Sequence, residues 1–412
     1  MFEEVPDLLL DWKVISFYQE IANLNISVVL VTLFAFAVLY FIYNNGERRF
    51  HLNPNRIVNE CRRNYVLITG CDSGFGQKLA ITLAERGVNV FAACLTEAGE
   101  EQMKRETLEF GGWVHTIRLD ITSQESVDKC FKTVSSTLKK QKAKLWSLVN
   151  NAGFCAFYGP SDWVTTEEYK TSIDVNLLGT IRMSQKFIPL LKRSRGRLVT
   201  MVSISGRIHG FYTAPYVTAK YGLEGFMDSV RLELRPFGVT AHIIEPGAFK
   251  TTLLNKNAML DRVNKTWMKL PKHVQNEYGE EFKENFISQW MSGVDLVANP
   301  NLTEVINAYM HAILSTRPKT RYVCGLDARL LFLPLSFLPS AVQDFILAFL
   351  PRLQLAPALV PKATTVKETA IEYDDDSEYT ITQVKNTVID ENFNEKFLKN
   401  GISHENGGLE AY

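Results

Sequence analysis

Three residue types at a characteristic spacing could form a proton-transfer site. Tyr216 and Lys220 are four residues apart, so they share one face if they lie on a helix, and Ser203 precedes Tyr216 by thirteen residues. An ammonium group beside a phenol favours the phenolate, which would bring a tyrosine pKa down from its ordinary ~10 toward neutral pH. A hydroxyl such as that of Ser203 could hold a substrate oxygen while the proton moves. A tyrosine and a lysine at this spacing are usually only a helix face, so the surrounding elements decide.

A glycine-rich turn upstream is typical of a dinucleotide site. The apolar run 65–69 predicts a buried strand, and the periodicity of 77–86 predicts a helix. The turn between them has the spacing T-G-x-x-x-G-x-G, with Gly70, Gly74 and Gly76. Such glycines let the backbone approach a pyrophosphate at the helix N-terminus, where free N–H groups point toward it. A glycine cluster alone is equally typical of an ordinary turn, and the flanking strand and helix favour the nucleotide site.

Further apolar runs, separated by helical stretches, extend this unit. They predict strands at 88–93, 114–119, 145–149, 198–202 and 239–244. Repeated strand–helix units predict an α/β fold: a doubly wound (Rossmann) parallel sheet flanked by helices. Ligands bind beyond the carboxyl ends of such strands, and every motif of this chain lies at such an end. Asp120, after the third strand, could reach the adenine edge of a nucleotide.

In combination these residues resemble the short-chain dehydrogenase/reductase superfamily over about residues 62–330. The strings that carry the resemblance are Thr69-Gly70 through Gly76, Asn150 to Gly153, Ser203, Tyr216 with Lys220, and Pro246-Gly247. The resemblance implies that Tyr216 is the general acid/base and that Lys220 lowers its pKa and binds the nicotinamide ribose. It also implies that Ser203 positions the substrate oxygen and that Asn176 holds a water in the proton relay. Ser205 is the alternative to Ser203, which the family spacing favours.

The same resemblance implies a nicotinamide cofactor held by the glycine turn and the strand ends. Thr251 matches a family position near the nicotinamide amide. The predicted cofactor-binding residues are Thr69, Gly70, Ser73, Gly74, Phe75, Gly76, Thr96, Asp120, Asn151, Ala152, Gly153, Tyr216, Lys220, Pro246, Gly247 and Thr251.

The charge of this predicted site favours NAD, with NADP as the alternative. A 2′-phosphate requires Arg or Lys in the glycine turn or just after the second strand, and neither place has one. Asp72 and Glu97 would instead repel a phosphate. The acidic ribose ligand that usually follows the second strand directly is missing, and Thr96 or the backbone could substitute for it.

A narrower match points to the retinol dehydrogenase and hydroxysteroid dehydrogenase branch. It rests on T-G-C-D-S-G-F-G at 69–76 and on the strings at 92–96, 202–207, 321–322 and 325–328, with the apolar segment 330–350. The resemblance implies retinol or retinal as the substrate, with a 3- or 17-hydroxysteroid as the alternative. Residues 248–300 are rich in apolar and aromatic side chains, which fits a lipophilic substrate, although about half of these should pack the helices onto the sheet. A catalytically silent membrane binding module is the third hypothesis, against which the complete set of predicted catalytic residues argues.

Composition divides the chain into five segments: an N-terminal flank 1–25, a transmembrane anchor 26–43, the catalytic domain 62–328, an apolar membrane-associated segment 329–361 and a polar, disordered tail 362–412. The uncharged run 26–43 is, with its flanks, long enough to cross a bilayer. A signal peptide is the alternative, but acidic residues precede the run and bulky ones close it. Arginines after the run predict a cytosolic catalytic domain, with a lumenal domain as the alternative. The expected location is the endoplasmic reticulum membrane, with a single span. The segment 330–350 is either an interfacial hairpin or a packing helix.

Charge and cysteine content exclude other functions. The formal net charge is zero, which gives no indication of a nucleic-acid partner. The six cysteines form no C-x-x-C pair and the histidines are isolated, so no metal site or disulfide framework is predicted. By analogy with the family, a homodimer through the helices that carry Asn176 and Tyr216 is expected.

Overall fold

The computed structural model describes residues 63–110, 113–154, 159–210, 212–353, 361–362, 371–372 and 380–381. Its centre is a sheet of seven parallel strands in the order β3-β2-β1-β4-β5-β6-β7. The strands are β1 Tyr65–Thr69, β2 Asn89–Cys94, β3 Val114–Arg118, β4 Leu145–Asn150, β5 Arg197–Met201, β6 Thr240–Pro246 and β7 Arg321–Cys324. The predicted doubly wound sheet is therefore confirmed, with strand ends displaced by at most two residues.

Helices connect the strands and cover both faces of the sheet. They are α1 Gly74–Glu85, α2 Glu97–Glu106, α3 Gln124–Lys140, α4 Thr166–Ile173, α5 Thr180–Ser194, α6 Ala214–Leu234, α7 Lys256–Lys269, α8 Lys272–Tyr278, α9 Glu280–Val297, α10 Thr303–Leu314 and α11 Ser340–Leu353. Shorter helical turns lie at Asp174–Gly179, Ile204–Gly206, Arg235–Phe237, Thr252–Leu254, Ala328–Phe332 and Leu333–Leu335. The strand order reverses between β1 and β4, and a doubly wound sheet binds its ligand in the crevice that such a reversal opens.

One apolar layer lies on each face of the sheet. Val66 and Ile68 of β1 pack in the layer that includes Tyr309 of α10, whereas Leu67 packs in the layer that includes Phe187 of α5. All five residues of β1 are buried. A parallel strand covered on both faces needs apolar side chains at every position, which is why this run is continuous rather than alternating.

Helices α7 to α9 pack around one buried tryptophan. Trp163 is 1% exposed, and its ring centroid lies 5.1 Å from that of Trp267, with Phe282 and Phe286 at 5.8 and 6.2 Å. Several aromatic residues of 248–300 are therefore packing residues, as the sequence predicted for about half of them. Met268, by contrast, is exposed.

The C-terminal apolar segment has a packed face and an exposed face. Leu335 and Leu347 are buried against Ile204 and Ile208, next to the end of β5. The packing-helix alternative therefore describes one face of this segment, and the interfacial alternative stays a prediction for the other.

None of the described helices combines the length and the apolar character needed to cross a membrane. The predicted span 26–43 lies outside the described residues. Most of the tail 362–412 does so as well, apart from a short antiparallel pair, β8 Ile371–Glu372 and β9 Thr380–Ile381.

Candidate active site

A cavity of about 650 Å³ opens at the carboxyl ends of the strands. Nearly all predicted site residues line it: Gly70, Ser73, Gly74, Phe75, Thr96, Asp120, Asn151, Ala152, Gly153, Asn176, Ser203, Tyr216, Lys220, Pro246, Gly247 and Thr251. Thr69 and Gly76 are the predicted residues that do not line it. The chain thus brings together in one cavity predicted site residues that are up to 181 positions apart, from Gly70 to Thr251.

The turn after β1 fits the phosphates of a dinucleotide. Gly70 and Gly74 have φ of +70° and +63°, which side chains rarely allow. A Cβ on Gly70 would also lie 2.8 Å from the Cα of Ala152. Helix α1 begins at Gly74, so its free N–H groups face the cavity without an intervening side chain. The turn and the start of α1 therefore form a cradle of backbone groups that fits a pyrophosphate.

Thr69 and Gly76 do not line the cavity but hold the glycine turn in position. The Thr69 hydroxyl accepts hydrogen bonds from the backbone N–H groups of Asn151 and Ala152, both at 3.0 Å. The Asn151 amide donates to the carbonyls of Thr69 and Gly70 at 3.0 and 3.1 Å. The ends of β1 and β4 are therefore tied together, and a side chain on Gly76 would overlap the Gly70 carbonyl.

Asp72 of the same turn lies at the end of β2. Its carboxylate accepts hydrogen bonds from the backbone N–H groups of Leu95 (2.8 Å) and Thr96 (2.7 Å), and from the Thr96 hydroxyl (2.7 Å). A side chain on Gly99 would overlap it. The acidic group missing after β2 is thus supplied by the glycine turn, a substitution the sequence reasoning did not anticipate. Glu97 does not line the cavity.

Helix α6 carries the predicted acid/base pair. Lys220 is 3% exposed, and its Nζ lies 5.4 Å from the ring centroid of Tyr216 and 3.4 Å from the carbonyl oxygen of Met201. The Ser203 hydroxyl donates to the Pro246 carbonyl at 3.4 Å and accepts from the Ser205 N–H at 3.1 Å. Ser205 also lines the cavity. The end of β5, the start of α6 and the end of β6 therefore meet at one place.

Asn176 lies in a π-helical turn, Asp174–Gly179, between α4 and α5. Its side-chain oxygen accepts from the Phe154 N–H at 3.0 Å, and its amide donates to the carbonyls of Phe154 (2.8 Å) and Ser172 (3.1 Å). The side chain therefore holds the backbone of Phe154, directly after Gly153. Turns of this kind often mark functional sites, and the water-holding role of Asn176 stays a prediction.

A buried ion cluster lies beneath the catalytic elements. Arg321 of β7 pairs with Glu224 and Asp228 of α6 and with Glu245 of β6. Arg207, from the loop after Ser203, also pairs with Glu245 at 2.7 Å. The cluster links β7 to β6, to the loop after Ser203 and to α6, the helix that carries Tyr216 and Lys220. Sequence reasoning missed it, and its one signal was Arg321 in a family-like string.

Glu224 should make the stability of the fold depend on pH. Burial and the nearby Glu245 carboxylate raise the pKa of Glu224 from 4.5 to about 7. Arg321 lowers this pKa but does not cancel the effect. A raised carboxyl pKa means that the folded state binds the proton more tightly than the unfolded state. The stabilisation from this group is therefore present below pH 4.5 and lost as the pH rises toward 7.

We therefore expect Glu224→Gln to flatten this dependence. Relative to wild type, the unfolding free energy of the variant should rise by about 2 kcal/mol between pH 5 and pH 8. Denaturant titrations at several pH values would measure it, with Glu101→Gln, an exposed carboxyl on α2, as the control. A constant difference across this range would contradict the raised pKa.

Known proteins share these motifs and this fold. The family model for short chain dehydrogenase matches residues 64–261. The chain is 49% identical to the 3beta-hydroxysteroid dehydrogenase dhs-16 of Caenorhabditis elegans over 326 residues, 78% of this chain and 82% of that protein. It is 39% identical to retinol dehydrogenase 7 of Rattus norvegicus over 292 residues, 71% of this chain and 90% of that protein.

A solved structure matches as well. A short chain dehydrogenase from Burkholderia cenocepacia, in complex with NADP, aligns with a TM-score of 0.51 and 20% identity over 69% of this chain and 97% of that one, a likeness of fold alone. The family match, with the hydroxysteroid and retinol dehydrogenases among the relatives, supports the type of reaction and a nicotinamide cofactor. The chain belongs to the short-chain dehydrogenase/reductase family, in the branch of retinol and hydroxysteroid dehydrogenases, and is an oxidoreductase that acts on alcohols.

Proposed function

We propose that this protein transfers a hydride between NAD and the hydroxyl-bearing carbon of a lipophilic alcohol, with a hydroxysteroid as the first substrate class. The observation that carries the proposal is the single cavity in which Tyr216 and Lys220 face both the dinucleotide cradle and an apolar wall. That wall includes Phe249, Leu254 and Phe332. Apolar walls with a few convergent polar groups are typical of sites for hydrophobic small molecules.

In this mechanism the chain orients the alcohol and moves its proton. A nicotinamide cofactor, held by the glycine turn and the strand ends, would supply the redox chemistry by accepting a hydride. Ser203 holds the alcohol oxygen and Tyr216 takes its proton as the hydride leaves. The buried Lys220 ammonium, 5.4 Å from the Tyr216 ring, favours the phenolate electrostatically. Asn176, which also holds the Phe154 backbone, supports the exit of the proton. The reverse sequence reduces a carbonyl.

Two substrate classes compete for this cavity. The higher identity to a 3beta-hydroxysteroid dehydrogenase, 49% against 39% for a retinol dehydrogenase, favours a 3-hydroxysteroid. This reverses the order that the sequence motifs alone suggested, and retinol becomes the second candidate.

A substrate panel tests the proposal. The protein would be given NAD or NADP with 3- and 17-hydroxysteroids and all-trans-retinol, and NADH formation would be followed by absorbance. Turnover of a 3-hydroxysteroid above retinol supports the proposed class, and the opposite order replaces it by the second. No turnover of any alcohol by folded protein would favour the silent binding module.

NAD preference is proposed on the position of Asp72. Its carboxylate lies in the cavity at the end of β2, where a 2′-phosphate would be placed. We expect Asp72→Asn to raise kcat/KM with NADP relative to NAD about tenfold, because a like charge is removed. Glu97→Gln, which alters an acidic residue just outside the cavity, is the matched control and should leave the ratio unchanged. A wild-type preference for NADP, or an equal effect of both variants, would contradict the assignment.

Membrane association is proposed on the apolar surface beside the cavity. Leu330, Phe337 and Phe345 are exposed on the C-terminal segment, and Phe332 of the same segment lines the cavity. With the predicted anchor 26–43, this surface would let a lipophilic substrate pass from the bilayer. Two N-glycosylation sequons, Asn264-Lys-Thr and Asn301-Leu-Thr, can show on which side of the membrane the domain lies, because such sites are glycosylated only in the lumen. Absence of glycan at both in membrane-bound protein supports a cytosolic domain, whereas glycosylation would place the domain in the lumen.

A further inference from the structure

Asp327 follows β7 and reaches back to the loop after β6. Its Oδ2 accepts a hydrogen bond from the backbone N–H of Ala248 at 2.8 Å. Asp327, Gly247 and Ala248 all line the cavity. The Gly247 N–H also donates to the Cys324 carbonyl at 2.8 Å. Two hydrogen bonds therefore hold this loop against the turn after β7, one of them charge-assisted and thus the stronger.

Two glycines leave room for this carboxylate. A Cβ on Gly247 would overlap the carboxylate of Asp327, and so would a Cβ on Gly325. Gly325 also has φ of +100°, which favours glycine. The carboxylate is thus enclosed by backbone on two sides, as expected for a group with one fixed position rather than a mobile surface charge.

The turn that carries Asp327 is itself anchored. Glu304 of α10 accepts a hydrogen bond from the Gly325 N–H at 3.1 Å and pairs with Arg329. Ala328, next to Asp327, is fully buried in the cluster around Ile204. Because Gly325 and Ala328, on either side of Asp327, are held in place, the Asp327 carboxylate can fix the position of the Ala248 peptide.

We propose that Asp327 is a positioning residue that fixes the Gly247–Ala248 peptide along the nicotinamide end of the cavity. The inference rests on the proposed function and on the cofactor-binding role predicted for Pro246 and Gly247. The Pro246 carbonyl also accepts from the Ser203 hydroxyl at 3.4 Å. One loop therefore connects the cofactor with the group that holds the substrate oxygen, and a small displacement of it should impair hydride transfer more than overall binding.

Binding measurements can locate this effect along the cofactor. NAD and ADP-ribose share the adenosine and both phosphates, but ADP-ribose lacks the nicotinamide. We expect Asp327→Ala to weaken NAD binding about tenfold and leave ADP-ribose binding unchanged, as measured by calorimetry. Asp327→Asn, which keeps an acceptor oxygen without the charge, should fall between wild type and Asp327→Ala. Asp344→Asn, an exposed carboxyl on α11 paired with His209, is the control. Equal losses for both ligands, or no loss for either, would overturn the assignment.

Kinetics give a second readout. We expect Asp327→Ala to lower kcat about 30-fold and to raise the deuterium isotope effect on kcat, because a displaced nicotinamide slows the hydride step itself. An isotope effect unchanged from wild type would show that the residue acts only through folding. Wild-type protein that neither binds NAD nor oxidises an alcohol would refute the proposed function and this inference together. Failure of the inference alone would appear only in the Asp327 variants.

A suppressor experiment checks the packing argument. Gly247→Ala should lower kcat at least about tenfold, because the added methyl group displaces the carboxylate. In the double variant Gly247→Ala with Asp327→Ala, the overlap is gone, so its kcat should equal that of Asp327→Ala alone. Losses that multiply would show that the two residues act independently and would contradict the enclosure of the carboxylate.

Discussion

Tyr216→Phe is expected to lower kcat about 10³-fold and to leave NAD affinity unchanged. The phenol is the group that takes the alcohol proton, whereas the aromatic ring and the helix that carries it remain. Steady-state kinetics and a binding titration measure the two effects separately. Tyr221→Phe is a matched control, since Tyr221 lies on the same helix and is partly exposed to solvent. Turnover within tenfold of wild type in Tyr216→Phe would refute the acid/base assignment.

Arg321→Met is expected to reduce the free energy of unfolding by about 3–5 kcal/mol at pH 8. The change removes the cation shared by Glu224, Asp228 and Glu245. Asp228 keeps its pair with Arg231 and Glu245 keeps its pair with Arg207, so the uncompensated charge falls mainly on the buried Glu224. Because Arg321 lowers the pKa of Glu224, the variant takes up a proton on Glu224 at a higher pH than wild type does, so the loss should be largest above pH 7 and smaller at pH 5.5. Denaturant unfolding at pH 8 and pH 5.5 measures both parts.

The control for this prediction is an exposed arginine. Arg105→Met breaks a pair with Glu101 on the surface of α2 and should cost less than about 1 kcal/mol. Equal costs for Arg105→Met and Arg321→Met would show that the buried cluster contributes no more than a surface pair. Because Arg321 links β7 to α6 and β6, the loss should also lower kcat in protein that is still folded.

The local parts of the fold were predictable from the sequence. The run Tyr65–Thr69 is buried on both faces, so its composition alone identifies a parallel strand. The glycine turn was equally clear, because Gly70 and Gly74 are needed for their positive φ. The cavity then gathers these residues with Tyr216 and Lys220, as expected when motifs lie at the carboxyl ends of parallel strands.

Long-range contacts were not predictable. Asp72 was expected only to repel a phosphate, whereas its carboxylate also caps the end of β2 through Leu95 and Thr96. Arg321 and Asp327 lie in a string that sequence reasoning used only for resemblance. Their partners are 76 or more positions away, on β6, on α6 and in the loop after β6. Pairing over such distances depends on the register of β6 and β7, which no local pattern encodes.

The steroid-versus-retinoid question illustrates the same limit. Trp267, Phe282 and Phe286 pack around Trp163, whereas Phe249 and Leu254 line the cavity. Both sets are apolar and come from the same stretch of chain, so composition predicts a hydrophobic substrate and not its shape. Shape follows from which side chains face inward, and that is a property of the packed helices.

Transfer of deuterium from the substrate to the cofactor is the decisive test of the proposed hydride transfer. The protein, in detergent, would be given NAD and a 3-hydroxysteroid deuterated at the hydroxyl-bearing carbon, and the NADH formed would be analysed by mass spectrometry. We expect NADH that carries the deuterium at nicotinamide C4, formed about 10³-fold more slowly by Tyr216→Phe. Unlabelled NADH, or label released to water while the alcohol is oxidised, would contradict direct hydride transfer between this substrate and the cofactor.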